Sequence, residues 1–468
     1  MIFDQLVSHL EIINLIPFSL LAAAEEEAAE PEGSLILAGV LLSLVTIYIA
    51  SKIGGELCSR INLPPVLGEL VGGVVIGVSV LGLLAFPESG ATAEDSLIMA
   101  FLERTTDLTP ETIEPVFAAQ GEVITVLSEL GVVILLFEIG LESDLKELLQ
   151  VGPQAALVAV TGVIAPFVGG TAGLYYGFGV PAVPAVFAGA ALTATSIGIT
   201  AKVLSELGRL NSKEGQIIIG AAVIDDVLGI IILAVVASLI KTGNIEVSNV
   251  LYLVVSAGVF LVGTILLGRF VTPFLMGMVN EMKTRGELLL TSLVFAFALA
   301  YIATAINLEA ILGAFAAGLV LGETEKRKEL EEQVVPVADI LVPVFFVCVG
   351  ARTDLGVLNP ADPSNREGLI LAAFLIVVAM LGKAIAGYTI FGRADLNKLA
   401  IGVGMIPRGE VGLVFAGVGS ASGALSPATE AAIIVMVIVT TFVAPPFLRV
   451  VFPDAPAEEP EASKQEGS

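Results

Sequence analysis

Residues that commonly hold metals or make redox bonds are scarce in this sequence. Its single histidine, His9, lies near one end, which argues against a histidine-ligated metal centre. The two cysteines, Cys58 and Cys348, occupy unrelated segments outside any metal-ligand or CxxC spacing, so neither disulfide nor redox chemistry is indicated. Basic residues are few as well: 22 Lys and Arg against 47 Asp and Glu leave a net charge of -25, which argues against nucleic acid as a partner. Charged residues of both signs make up only 15% of the chain, whereas 56% is apolar. The apolar residues fall in long runs of about 20 or more, enough at ~1.5 Å per residue to cross a ~30 Å hydrocarbon layer. A transmembrane β-barrel would instead show short alternating segments. The fold class is therefore an all-α polytopic membrane protein.

Hydropathy places thirteen helices, at 34–57, 64–84, 121–142, 152–177, 182–205, 213–240, 249–275, 285–306, 309–322, 334–352, 368–392, 396–421 and 427–449. An odd number puts the two ends of the bundle on opposite sides, so the basic residues of alternate loops must differ in number. Sixteen fall at or near the helix ends on one side and four on the other, and the remaining two, Lys383 and Arg408, lie at mid-helix. The C-terminus is thus expected in the cytoplasm, with a body over 34–450 that starts outside. Segment 85–120 is the longest interruption; it is acidic, carries only Arg104 as a base, and reads as an outward-facing solvated loop. Residues 1–33 form an extension, signal-like or interfacial, whose first residues include Asp4 but no lysine or arginine. Residues 451–468 are rich in proline, alanine and glutamate and read as a disordered tail.

Ionisable groups at the bilayer centre cost ~3 kcal/mol or more each, so each is by default a functional candidate. Asp225 and Asp226 stand 12 residues after Lys213 and 15 before Lys241, within a run of Ile, Ala, Val, Leu and Gly. Lys383 is equally central, 15 residues after Gly368 and 10 before Arg393. Two further helices carry breaks at mid-span. One has the polar run Thr193, Ala194, Thr195, Ser196; the other has Pro407, Arg408, Gly409 and Glu410, where proline removes a donor and glycine weakens the helix. A broken helix is tolerated at membrane depth only where it is buried in protein or lines a water-filled cavity. The two broken helices are seven helices apart and so run in opposite directions, as inverted repeats require.

Neighbours on a helix point ~100° apart, so the two aspartates take different roles. One can pair with Lys383. The other can face a cavity and bind a cation, with Thr195, Ser196 and freed carbonyls as further oxygen ligands. Desolvation favours the neutral acid and a bound cation favours the carboxylate, so protons and cations compete for one group. A buried Lys–Asp pair that merely holds helices together is the plainer alternative. An intramembrane aspartyl protease also needs two aspartates, but they must meet across about 3 Å, which neighbours on one helix do not do.

The segments LPPVLGELVGG (63–73), VILLFEIGLE (133–142), TATSIGITAKVLSELG (193–208), GAAVIDDVLG (220–229), GAFAAGLVLGE (313–323), PVFFVCVG (343–350), LGK (381–383) and GMIPRGEVGLV (404–414) together resemble the cation:proton antiporter superfamily, in particular its NapA-type sodium/proton antiporters. The resemblance implies a homodimer whose protomers each have a dimerisation domain and a six-helix core domain that moves like an elevator. It implies that sodium or a proton binds at Asp226, that Asp225 partners Lys383, and that exchange is electrogenic, with no cofactor; lithium is a further possible substrate. Thr193, Thr195 and Ser196 match the unwound segment of one crossing helix, and Pro407, Arg408 and Glu410 that of the other. Glu138 departs from the family pattern, which is usually apolar there. A potassium/proton exchanger or efflux system of the Kef type is the nearest rival, although it usually carries glutamine at the position of Asp225 and a cytosolic nucleotide-binding domain. A bacterial inner membrane is the expected location, and a thylakoid membrane obeys the same charge rule.

Overall fold

A computed structural model describes residues 33–106, 108–242, 247–363, 365–390 and 395–452. The expectations for the N-terminal extension and for the tail beyond 452 lie outside these residues. Among them the chain is helical throughout: α1 (Gly33–Arg60), α2 (Pro65–Ile76), α3 (Leu97–Thr105), α4 (Ile113–Glu142), α5 (Leu145–Ala172), α6 (Ala182–Ala191), α7 (Ile197–Glu206), α8 (Lys213–Thr242), α9 (Val247–Glu281), α10 (Glu287–Ala305), α11 (Ala310–Gly322), α12 (Arg327–Ala351), α13 (Asn365–Tyr388), α14 (Lys398–Gly404), α15 (Glu410–Ala421) and α16 (Pro427–Val451). Nine of the described helices are long and apolar enough to cross a membrane. Of the other four segments read from hydropathy, two are the short apolar helices α2 and α11, and two are the broken pairs α6–α7 and α14–α15.

Several boundaries differ from the hydropathy reading, each for a local reason. The helix read over 64–84 stops at Ile76, because Gly77 is extended (φ -70°, ψ -179°) and the chain doubles back through the bond from Leu83 N–H to the Ile76 carbonyl. Apolar Leu84, Ala85 and Phe86 are buried in this return, which is why hydropathy ran on. α4 begins at Ile113 rather than 121, and its first turns hide Gln120, whose amide donates to Ser43 Oγ at 2.7 Å. α5 begins at Leu145, where Asp144 caps the N–H groups of Lys146 and Glu147. The segment read as a solvated loop contains α3, capped by Ser96, with Ile98, Met99 and Leu102 buried against the rest.

Close helix packing rests on small residues, as van der Waals association in lipid demands. Gly140 of α4 and Gly318 of α11 lie backbone to backbone, and a methyl on either would strike the other helix. Gly387 of α13 and Gly402 of α14 do the same for the helix that carries Lys383. Elsewhere, large apolar side chains face outward in rows, such as Leu37, Leu41, Val45, Ile49 and Ile53 of α1, spaced four apart on one face. For a soluble protein such a row is a liability; in lipid it is the ordinary surface.

Candidate functional site

Between α6 and α7 the helix opens over residues 192–196, and between α14 and α15 it opens over 405–409. The two open stretches meet and satisfy one another. Ser196 N–H donates to the Pro407 carbonyl at 2.8 Å, Thr200 Oγ1 to the Gly404 carbonyl at 2.9 Å, and Thr195 Oγ1 to the Met405 carbonyl at 3.2 Å. In return Arg408 Nη1 donates to the carbonyls of Thr193 at 2.9 Å and Ala194 at 2.5 Å. Thr193 closes its own turn, its hydroxyl donating to the Ala190 carbonyl at 2.7 Å. A buried backbone group without a partner costs ~1–3 kcal/mol, so mutual pairing is what lets two broken helices persist at this depth. Arg408 also brings positive charge to the end of α6, where the helix dipole is negative.

Against this crossing lies α8 with its two aspartates. Lys383 Nζ of α13 donates to Asp225 Oδ2 at 2.5 Å, and both side chains are wholly buried. Gly162 of α5 makes room for the lysine: a methyl there would lie 3.2 Å from both its Cδ and Nζ. Thr195 Oγ1 donates to the same Asp225 Oδ2 at 2.5 Å. A hydroxyl has one proton, so Thr195 divides it between Asp225 and the Met405 carbonyl, with the larger share going to the charged acceptor. Asp226 is 3% exposed, and its charge acts on Lys383. Arg408 is also fully buried; it acts electrostatically on both Lys383 and Asp225. Two carboxylates and two cations therefore share one buried region, formally balanced when all four are charged.

Of the residues singled out in the sequence, Asp225, Asp226, Lys383, Thr193, Thr195, Ser196 and Arg408 are all buried. Asp225, Lys383 and Thr195 are joined directly by hydrogen bonds, while Ser196, Pro407 and Arg408 belong to the crossing. Thr195, read from the sequence as an oxygen ligand for a cation, donates its hydroxyl proton to the aspartate that holds the lysine. Glu410 opens α15; its side chain lies outside the described ones. Glu138 on α4 is within electrostatic reach of Lys202, Glu142 and Asp339. Sequence reasoning missed Gly162 and Thr200. A glycine or threonine in an apolar helix gives no sign of which partner it meets.

A cavity of about 440 Å³ opens near the end of α10, the start of α11 and the end of α12. Its rim carries Glu129, Glu309, Thr353 and Arg352, the last held by Thr125 Oγ1 at 2.6 Å and by Glu88 at 3.3 Å. Phe345, Gly409, Leu413 and Thr441 also line the cavity, and neither aspartate does. On the opposite side α7 is tied to its neighbours: Ser205 Oγ donates to Glu142 Oε2 at 3.1 Å, and Val66 N–H to Glu206 Oε2 at 3.4 Å.

Comparison with known proteins identifies the family. Residues 37–452 match the model of the transmembrane sodium/hydrogen exchanger family. The chain is 69% identical to the high-affinity Na+/H+ antiporter NhaS3 of Synechocystis over 94% of its own length and 95% of the relative's. It is 34% identical to the Na+/H+-K+ antiporter GerN of Bacillus cereus, over 87% of this chain and 95% of that one. A solved sodium proton antiporter of Methanocaldococcus jannaschii shares the fold with a TM-score of 0.58 at 16% identity, covering 88% of this chain and 96% of that structure. These are transporters rather than enzymes, and this multi-pass membrane protein belongs to the sodium/hydrogen exchanger family.

Proposed function

We propose that the protein exchanges sodium for protons, with Asp226 as the carboxylate that carries either one. The observation that supports this best is the buried constellation at the crossing: Asp225 bonded to Lys383, Asp226 next in the chain, and Arg408 beside them. Asp225 bonds Lys383 and Thr195, and Asp226, next to it in the chain and 3% exposed, is the carboxylate assigned here to the transported ion. A sodium ion and a proton are each +1, and in a dry site one carboxylate takes one or the other, which couples their movement. Lys383 supplies a second exchangeable proton. If sodium at Asp226 lets Lys383 release it while Asp225 turns to the cation, two protons move per sodium and exchange is electrogenic. The Na+/H+ antiport of NhaS3 and the Na+/H+-K+ antiport of GerN support the reading of sodium as substrate, and that of GerN keeps potassium in view.

Access alternates, in this reading, by a rigid movement of six units, namely α5, the α6–α7 pair, α8, α13, the α14–α15 pair and α16, against the rest. The mutual hydrogen bonds of the two broken helices favour movement as one body over a local gate. A homodimer in a bacterial inner membrane, or in a thylakoid membrane, is the proposed setting, with the C-terminus in the cytoplasm.

The test is purified protein in liposomes loaded with a pH-sensitive dye, with sodium, lithium or potassium added at several pH values. Sodium-driven proton movement is expected, and a transmembrane voltage should alter its rate if exchange is electrogenic. Proton movement driven by potassium alone would transfer the protein to the Kef-type reading, and none with any cation would reject exchange.

A further inference from the structure

The break around Arg408 can be audited one carbonyl at a time. Gly404, Met405 and Pro407 receive donors from Thr200, Thr195 and Ser196, all on the partner stretch of the crossing. The Arg408 carbonyl is different. Its donor is Thr441 Oγ1, at 2.5 Å, from α16. Threonine inside a helix ordinarily bonds back to its own helix, and the adjacent Thr440 does so, donating to the Met436 carbonyl at 2.8 Å. Thr441 has the same opportunity and commits its one proton outside α16 to a carbonyl that the break released. It is 3% exposed and, with Gly409, lines the cavity described above.

Satisfying a stray carbonyl would by itself be a structural duty. What singles out Thr441 is the residue it holds. Arg408 is fixed at its backbone by Thr441 and at its guanidinium by the carbonyls of Thr193 and Ala194, and its charge acts on both Asp225 and Lys383. In a region this buried a small displacement of a full charge is weakly screened. We propose that Thr441 is a positioning residue for ion exchange: by holding the Arg408 peptide it sets where the guanidinium stands relative to the Asp225–Lys383 pair, and so sets the affinity of the neighbouring carboxylate for sodium. The proposal rests on the sodium/proton reading above.

Thr441→Val keeps the shape and removes the hydroxyl; Thr441→Ser keeps the hydroxyl. Sodium titrations of exchange in liposomes, at three or more pH values, separate the roles. Thr441→Val should raise the sodium KM by about three- to tenfold, the scale of one lost hydrogen bond, and leave the maximal rate within about twofold. Thr441→Ser should restore the wild-type KM. A merely structural threonine would lower the maximal rate through loss of folded protein and leave KM alone, and that result overturns the proposal. So does a serine variant that behaves like valine, because the hydroxyl would not then be the agent. If Thr441→Val fails to accumulate in the membrane, Thr441→Ala is titrated and judged by the same KM criterion. Wild-type protein that moves no protons on sodium addition would reject the underlying function, whereas working wild type with an unaltered KM in the variant rejects only the role of Thr441.

Discussion

Replacing Lys383 with glutamine tests the central ion pair. Both Lys383 and Asp225 are 0% exposed in their side chains, and the Asp225 Oδ1 atom has no hydrogen-bond partner among the described residues. Lys383→Gln therefore leaves a buried carboxylate with Thr195 as its remaining direct donor and Arg408 as the nearby cation. Removing one partner of a buried pair costs ~3–5 kcal/mol, because the survivor's charge stays uncompensated. With an unfolding entropy of about 2 cal/mol/K per residue, the 468 residues give about 1 kcal/mol per degree, so the melting point should fall by roughly 3–5 °C. Adding Asp225→Asn removes the stranded charge and should recover most of that loss. The assay is thermal unfolding of detergent-purified protein, followed by size-exclusion chromatography after heating. If the single variant melts within 1 °C of wild type, or the double variant melts lower than the single, the pair is not held as described.

Three other outcomes are expected. Asp226→Asn should abolish sodium-driven proton movement in liposomes, and activity near wild type would reject it as the ion carboxylate. A cysteine pair at Ser205 and Glu142, in a background lacking Cys58 and Cys348, should arrest exchange when oxidised and release it when reduced, because α7 is tied there to α4; full activity while cross-linked would show that this contact need not open. In Gly409→Ala the new methyl would meet Ser196 at 2.8 Å from Oγ and 2.9 Å from Cβ, an overpacking of ~1–3 kcal/mol that should lower the melting point and be relieved by Ser196→Gly. An unchanged melting point in the single variant would mean that the crossing is looser than these contacts indicate.

The sequence made the charged centre legible because lipid is an unforgiving solvent: few ionisable groups stand at mid-helix, so Asp225, Asp226, Lys383 and Arg408 identify themselves. Pro407 and the run from Thr193 to Ser196 marked the breaks for the same reason. Pairing was harder to read. Thr195 could have served a cation or an aspartate, and only the crossing decides that its hydroxyl reaches Asp225. Gly162, Thr200 and Thr441 gave no signal, since a small or hydroxyl side chain in an apolar helix is ordinarily satisfied without a distant partner. The early stop of α2 was hidden by the apolar chain that follows it, because a buried return looks to a hydropathy window like more helix. The early start of α4 was hidden by Gln120, a polar residue that is buried because Ser43 answers it.

The crossing also ties the evolution of one stretch to that of another more than two hundred positions away. Residues 193–200 supply donors for 404–407, and Arg408 repays acceptors at 193 and 194. A change that leaves a group unpaired on one side of the crossing is tolerable only with a compensating change on the other. Drift at these two sites should therefore be correlated, and hybrids that join the first half of this chain to the second half of a distant relative should fail at the crossing before they fail anywhere else.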